Sequence, residues 1–79
     1  MNQTKNKIKK IISQQLGYSE EEIEPESNLT DDLGADSLDL VEIVINIEEE
    51  FNVDIDDKDT DTIKTVGDWF EYAEKQELK

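Results

Sequence analysis

The chain contains no cysteine and no histidine. Disulfides, thiolate–zinc sites and histidine-ligated metals are therefore excluded. So is a Ser-His-Asp or Cys-His triad built within the chain. Arginine is also absent: the cations are eight lysines, set against 22 Asp and Glu, for a formal net charge of −14 over 79 residues. That balance argues against a free-standing nucleic-acid binder, because phosphate contacts need basic groups. Long apolar runs are missing too. The longest is Ile43 to Ile45, far too short to span a membrane. No apolar stretch follows the basic first residues, so no signal peptide is expected. The absence of cysteine fits a cytoplasmic setting.

What remains is short and acidic. The length has room for one domain, 1–79, and one core. A chain of this size buries only about 60% of the surface its unfolded form exposes. Lys5, Lys7, Lys9 and Lys10 supply half of the cations, whereas Gly17 to Asp57 holds 16 acids and no lysine. Such a field repels nucleic acid and anionic membranes, and attracts basic protein surfaces and divalent cations. The apolar fraction of 34% with this charge also fits disorder, so periodicity has to decide.

It decides for helices. Ile8, Ile11, Ile12 and Leu16 recur on one face of a 3.6-residue period, predicting a first helix over about 4–16 with Gly17 as its stop. A polar loop with the single proline, Pro25, follows. Ser19-Glu20-Glu21-Glu22 reads as a capping box for a short turn over Glu20 to Ile23, and Leu29 and Leu33 are the expected anchors of the loop. A second helix is predicted from Ser37 to Phe51, with Asp36 as N-cap and Asp39 in the first turn. Its apolar residues form two stripes. Leu40, Ile43, Val44, Ile47 and Phe51 lie on one side; Leu38, Val41 and Ile45 lie about 135° away. A one-core domain needs only the first. The second, flanked by Glu42, Glu48 and Glu49, reads as a docking surface in preference to a second core face. Val53 and Ile55 point inward from an irregular acidic stretch, a short third helix is expected over Asp57 to Ile63, and Thr65 caps a fourth helix over Val66 to Glu77. Three long helices and one short one, with no strand-like alternation, make an all-α four-helix bundle with a long loop between the first and second helices.

The acids near position 57 raise the question of calcium. An EF-hand loop starting at Asp54 would need glycine where Asp59 stands and glutamate where Thr65 stands; one starting at Asp57 meets Thr62 at the glycine position. No specific metal site is expected, only weak divalent binding at the surface. Carboxylate pairs are too common here to mark catalysis, and a bundle this small has little room for a shielded acid–base site. Gly34-Ala35-Asp36-Ser37-Leu38 does not fit the G-x-S-x-G elbow. No catalytic residue is assigned and the chain is not read as an enzyme.

The informative string is Asp32-Leu33-Gly34-Ala35-Asp36-Ser37-Leu38-Asp39-Leu40-Val41-Glu42. It resembles the acyl carrier protein family of bacterial fatty-acid synthesis, with Asp36-Ser37-Leu38 as the attachment signature. The likeness continues through Glu48-Glu49-Glu50-Phe51, through Ile63 with Thr65-Val66, and back to Leu16-Gly17. It implies a carrier: a carrier-protein synthase (a phosphopantetheinyl transferase) would place the 4′-phosphopantetheine of coenzyme A covalently on the Ser37 hydroxyl. Acyl groups would ride as thioesters on the thiol that arrives with the arm. The synthase, not the carrier, would supply base and Mg²⁺. The helix N-terminus at Ser37 also favours the anionic phosphodiester.

The resemblance further implies that the second helix faces partner enzymes. Asp36, Asp39, Glu42, Glu48 and Glu49 would meet basic patches on fatty-acid synthesis enzymes and acyltransferases, while Leu38, Val41 and Ile45 supply the apolar contact. Leu33, Val44, Ile47, Ile55, Ile63 and Trp69 would line an acyl pocket. A cytoplasmic monomer is expected, without membrane insertion. Two positions depart from the family pattern: Leu29 stands where Phe is common, and Trp69 where a small residue is more usual. Trp69 reads either as core packing or as the wall of a reshaped pocket. A peptidyl or aminoacyl carrier and an arm-free acidic binding module stand as alternatives.

Overall fold

A computed structural model of the chain describes residues 3–76, apart from the side chain of Asp57. Four helices follow in order: α1 (Gln3–Leu16), α2 (Ser37–Phe51), α3 (Asp57–Thr60) and α4 (Val66–Lys75), with a 3₁₀ turn at Glu20–Glu22. The all-α bundle expected from periodicity is what forms. Helix α1 is the spine, packing against both α2 and α4. Its Ile8 and Ile12 are fully buried, meeting Ile43 and Ile47 of α2 and Val66, Trp69, Phe70 and Ala73 of α4 in one core.

The long loop is held by both anchors, since Leu29 and Leu33 are buried in that core. It is also stitched to the start of α4. The Leu29 N–H donates to the Lys64 carbonyl (2.9 Å), the Val66 N–H to Ser27 (3.0 Å) and the Gly67 N–H to Pro25 (2.7 Å). A Cβ on residue 67 would lie 2.9 Å from the Pro25 carbonyl oxygen, so only glycine allows this approach. Further along, the Asn28 side chain accepts from the N–H groups of Thr30 and Asp31, and Asp32 accepts from the Asn28 N–H. That turn ends at Gly34, whose φ of +74° suits a residue without Cβ. The loop thus delivers the chain to Asp36 in a fixed direction.

One expected boundary changes among the described residues. Helix α3 ends at Thr60, not Ile63, because the Thr62 hydroxyl and N–H both take the Asp59 carbonyl. The next residues then straighten to pair Lys64 with Leu29. Helix α4 ends at Lys75; the expected end at Glu77 lies outside the described residues. Lysines clamp the spine at its exposed edge: Lys5 reaches Glu74 of α4 (3.5 Å) and Lys7 reaches Glu50 of α2 (3.6 Å). Each also sits 5.7 Å from an aromatic ring, of Phe70 and Phe51 respectively. Exposed pairs of this kind add little individually, yet they place the basic half of α1 against the acidic helices.

Candidate functional site at the start of α2

Asp36 and Asp39 open α2 with a reciprocal cap: Asp36 accepts from the Asp39 N–H (2.9 Å) and Asp39 accepts from the Asp36 N–H (3.2 Å). This satisfies helix donors that would otherwise be unpaired. Because Asp36 is the N-cap, the Ser37 hydroxyl plays no part in that pair, and Ser37 stands exposed in the first turn. Gln15 of α1 donates to the Asp39 carboxylate (3.1 Å). That bond, followed by the Asp36 N–H, holds the Asp39 carboxyl below the usual carboxylate range. The cap is thereby tied to the spine by a bond across the fold that no local pattern marks.

Beside Ser37 a cleft of about 370 Å³ opens between α2 and the segment around α3. Leu40, Val41, Val44 and Ile45 of α2 form one wall; Thr60, Asp61 and Ile63 form the other; Leu29, Ile55 and Trp69 lie within. Of the residues expected to line a pocket, Val44, Ile55, Ile63 and Trp69 do so. Leu33 and Ile47 do not line this cleft: both belong to the core shared with α1. Val41 and Ile45, placed on the docking face by the helical wheel, also form the lip of the cleft, because a lip residue faces both ways. Leu29, Leu40, Glu48, Thr60 and Asp61 also line it and were absent from the expected pocket set. Leu40 was signalled by its place on the inner stripe; Thr60 and Asp61 reach the cleft only through the turn after α3, which no pattern marks.

The second stripe of α2 is solvent-facing, with Leu38 75%, Val41 54% and Ile45 41% exposed. The exposed acids Glu42 and Glu49 stand on the same helix, and exposed Asp36 caps it. Glu48 differs from them. Its carboxylate accepts from the Ile55 N–H (2.7 Å) and so holds the segment after α2 against the cleft. On α4, the Tyr72 ring meets Trp69 edge-on at 5.9 Å, and its hydroxyl donates to Asp59 (3.3 Å). Burial, and then the Asp59 carboxylate, push the Tyr72 phenol up. Among the described residues no group of three or more carboxylates gathers to hold a metal ion, and no helix is long and apolar enough to cross a membrane.

This geometry fits a covalent arm: an exposed hydroxyl at a helix N-terminus, next to an apolar cleft. Comparison with known proteins points the same way. The family model described as a phosphopantetheine attachment site matches residues 6–73. An acyl carrier protein of Thermotoga maritima is 52% identical over 71 residues, covering 90% of this chain and 88% of the relative. One from Syntrophobacter fumaroxidans is 55% identical over 69 residues, covering 87% and 85%. A solved acyl carrier protein structure from Mycobacterium tuberculosis superposes with a TM-score of 0.84 at 33% identity, covering 92% of this chain and 97% of that one.

Proposed function

The chain belongs to the acyl carrier protein family and carries acyl groups on a covalent 4′-phosphopantetheine, and on that premise we propose that Ser37 holds the arm. The observation that carries this reading is the position of Ser37: exposed, relieved of the capping role by Asp36, and on the rim of the apolar cleft. When bound, the arm supplies the thiol that this cysteine-free chain lacks, and acyl groups are held there as thioesters. The protein's own part is to present the hydroxyl, shelter an acyl chain in the cleft and offer α2 to partners.

Residues 1–79 act as one carrier domain, not as a catalyst. Its partners are a phosphopantetheinyl transferase, enzymes of fatty-acid synthesis and acyltransferases, met in the cytoplasm by a monomer. Leu38, Val41 and Ile45 give those partners a small apolar centre, and Asp36, Asp39, Glu42, Glu48 and Glu49 surround it with negative charge. Charge of this kind speeds and orients encounter without tight binding, which suits a carrier that must leave each enzyme. Glu48 contributes its field while its carboxylate stays bonded to Ile55.

The test is Ser37→Ala. The variant keeps the Asp36 cap and therefore the fold. Incubated with a carrier-protein synthase, coenzyme A and Mg²⁺, wild type gains the mass of one arm and the variant gains none. A gain in the variant equal to that of wild type would overturn the assignment.

A further inference from the structure

The cleft has a direction. Its lip is Ser37, Val41 and Ile45, all exposed, and its far end is Leu29, Ile55 and Trp69, all buried. An acyl chain entering beside Ser37 runs along Leu40 and Val44 toward that end. Trp69 is the largest side chain there and the one cleft residue that α4 contributes. It is 2% exposed, so its indole closes the cleft instead of lining its mouth.

The indole is also braced. Tyr72, one turn further along α4, packs edge-on against it at an interplanar angle of 87°. The Tyr72 hydroxyl is in turn tied to Asp59 of α3. Phe70 and Ala73 fill the core on the same helix. A buried aromatic ring held in this way does not swing aside at small cost, because tightly packed interiors resist rotamer changes. From this we infer that Trp69 sets the length of acyl chain that the cleft can shelter, stopping it at the core packed under α4. This inference rests on the reading of Ser37 as the attachment point.

The consequence is measurable as stability. An acyl chain that finds apolar surface stabilises the folded state in proportion to the area it buries. In wild type the gain in melting temperature rises with chain length and then levels off when the chain meets the indole. Trp69→Ala removes the stop, so its gain continues to acyl groups longer than the one at which wild type levels off. Trp69→Phe, a smaller change, moves the plateau in the same direction by less and serves if the alanine variant does not fold.

The experiment loads wild type and both variants with butanoyl, hexanoyl, octanoyl, decanoyl, dodecanoyl and hexadecanoyl groups, and compares each melt with that of the same protein bearing the bare arm. Intact mass, with and without Ser37→Ala, reports separately whether the arm and cargo are on Ser37. A plateau that moves to longer chains in the variants supports the inference. Mass confirming the cargo on Ser37, with the same plateau in wild type and in every variant that folds, overturns the stop at Trp69 and leaves the attachment reading intact. A cargo found elsewhere overturns both.

Discussion

Single residues here carry duties that their type alone does not announce. Gly67 is the sharpest case. Its N–H is bonded to Pro25, and an added Cβ would press on that same carbonyl oxygen at 2.9 Å. The obstacle is backbone, which cannot rotate away. Gly67→Ala should therefore destabilise the fold by about 1–3 kcal/mol, despite alanine's better helix propensity. Chemical denaturation of the two proteins checks this, and a variant as stable as wild type would mean that the loop yields freely. The start of α2 at Ser37 with Asp36 as its cap was legible at this scale because the pattern of a helix start is local. The second duties of Asp39 and Glu48 were not: one reaches Gln15 and the other the Ile55 N–H. Both are bonds across the fold, and a sequence of many acids gives no reason to single out these two.

Among the elements, α1, α2 and α4 were readable because their apolar residues repeat with the helical period. Helix α2 shows both of its stripes: Ile43, Ile47 and Phe51 of one lie in the core while its Leu40 and Val44 line the cleft, and Leu38, Val41 and Ile45 of the other are exposed. Helix α3 was overestimated because it has one turn and no apolar face of its own, and the loop pairing at Leu29 and Lys64 decides where it stops. The start of α4 offers a pH test. The Asp68 carboxylate accepts from the N–H groups of Lys64 (2.9 Å) and Thr65 (3.1 Å), and these bonds, Lys64 first, hold it below the usual carboxylate range. A carboxyl whose folded value lies below its unfolded one adds stability that is present above the unfolded value, about 3.9, and is lost as the pH falls through the folded value. Asp68→Asn lacks that titration. Losing the charge-assisted character of these bonds should cost about 1 kcal/mol at neutral pH, and the variant's melting temperature should fall less steeply than that of wild type as the pH drops below about 4. Melts across acid pH compare the slopes; parallel curves would show that Asp68 contributes nothing to acid sensitivity.

For the whole molecule, charge is the property that the sequence states most plainly and the fold changes least. Folding concentrates a net charge of −14 into a body with a radius of gyration of 11.2 Å. Within it, Lys5 and Lys7 are paired with acids, while α2 and the loops before and after it hold no cation at all. The acidic surface proposed for docking therefore also opposes compaction, since like charges repel less in the expanded chain. Salt acts on this cost directly. Screening becomes effective over a Debye length of about 10 Å at 0.1 M, comparable to the radius of the fold, so added NaCl should raise the melting temperature steeply at first and then level off. Divalent ions have a further route. Among the described residues no three carboxylates form a cage, but acids are dense on α2 and around α3, and weak binding of divalent ions at that surface is the expectation. At equal ionic strength MgCl₂ should then raise the melting temperature more than NaCl does. The comparison separates two origins of the same stabilisation: equal gains leave only screening of the overall field, whereas a larger gain with Mg²⁺ that saturates with concentration shows ions held at the acidic surface.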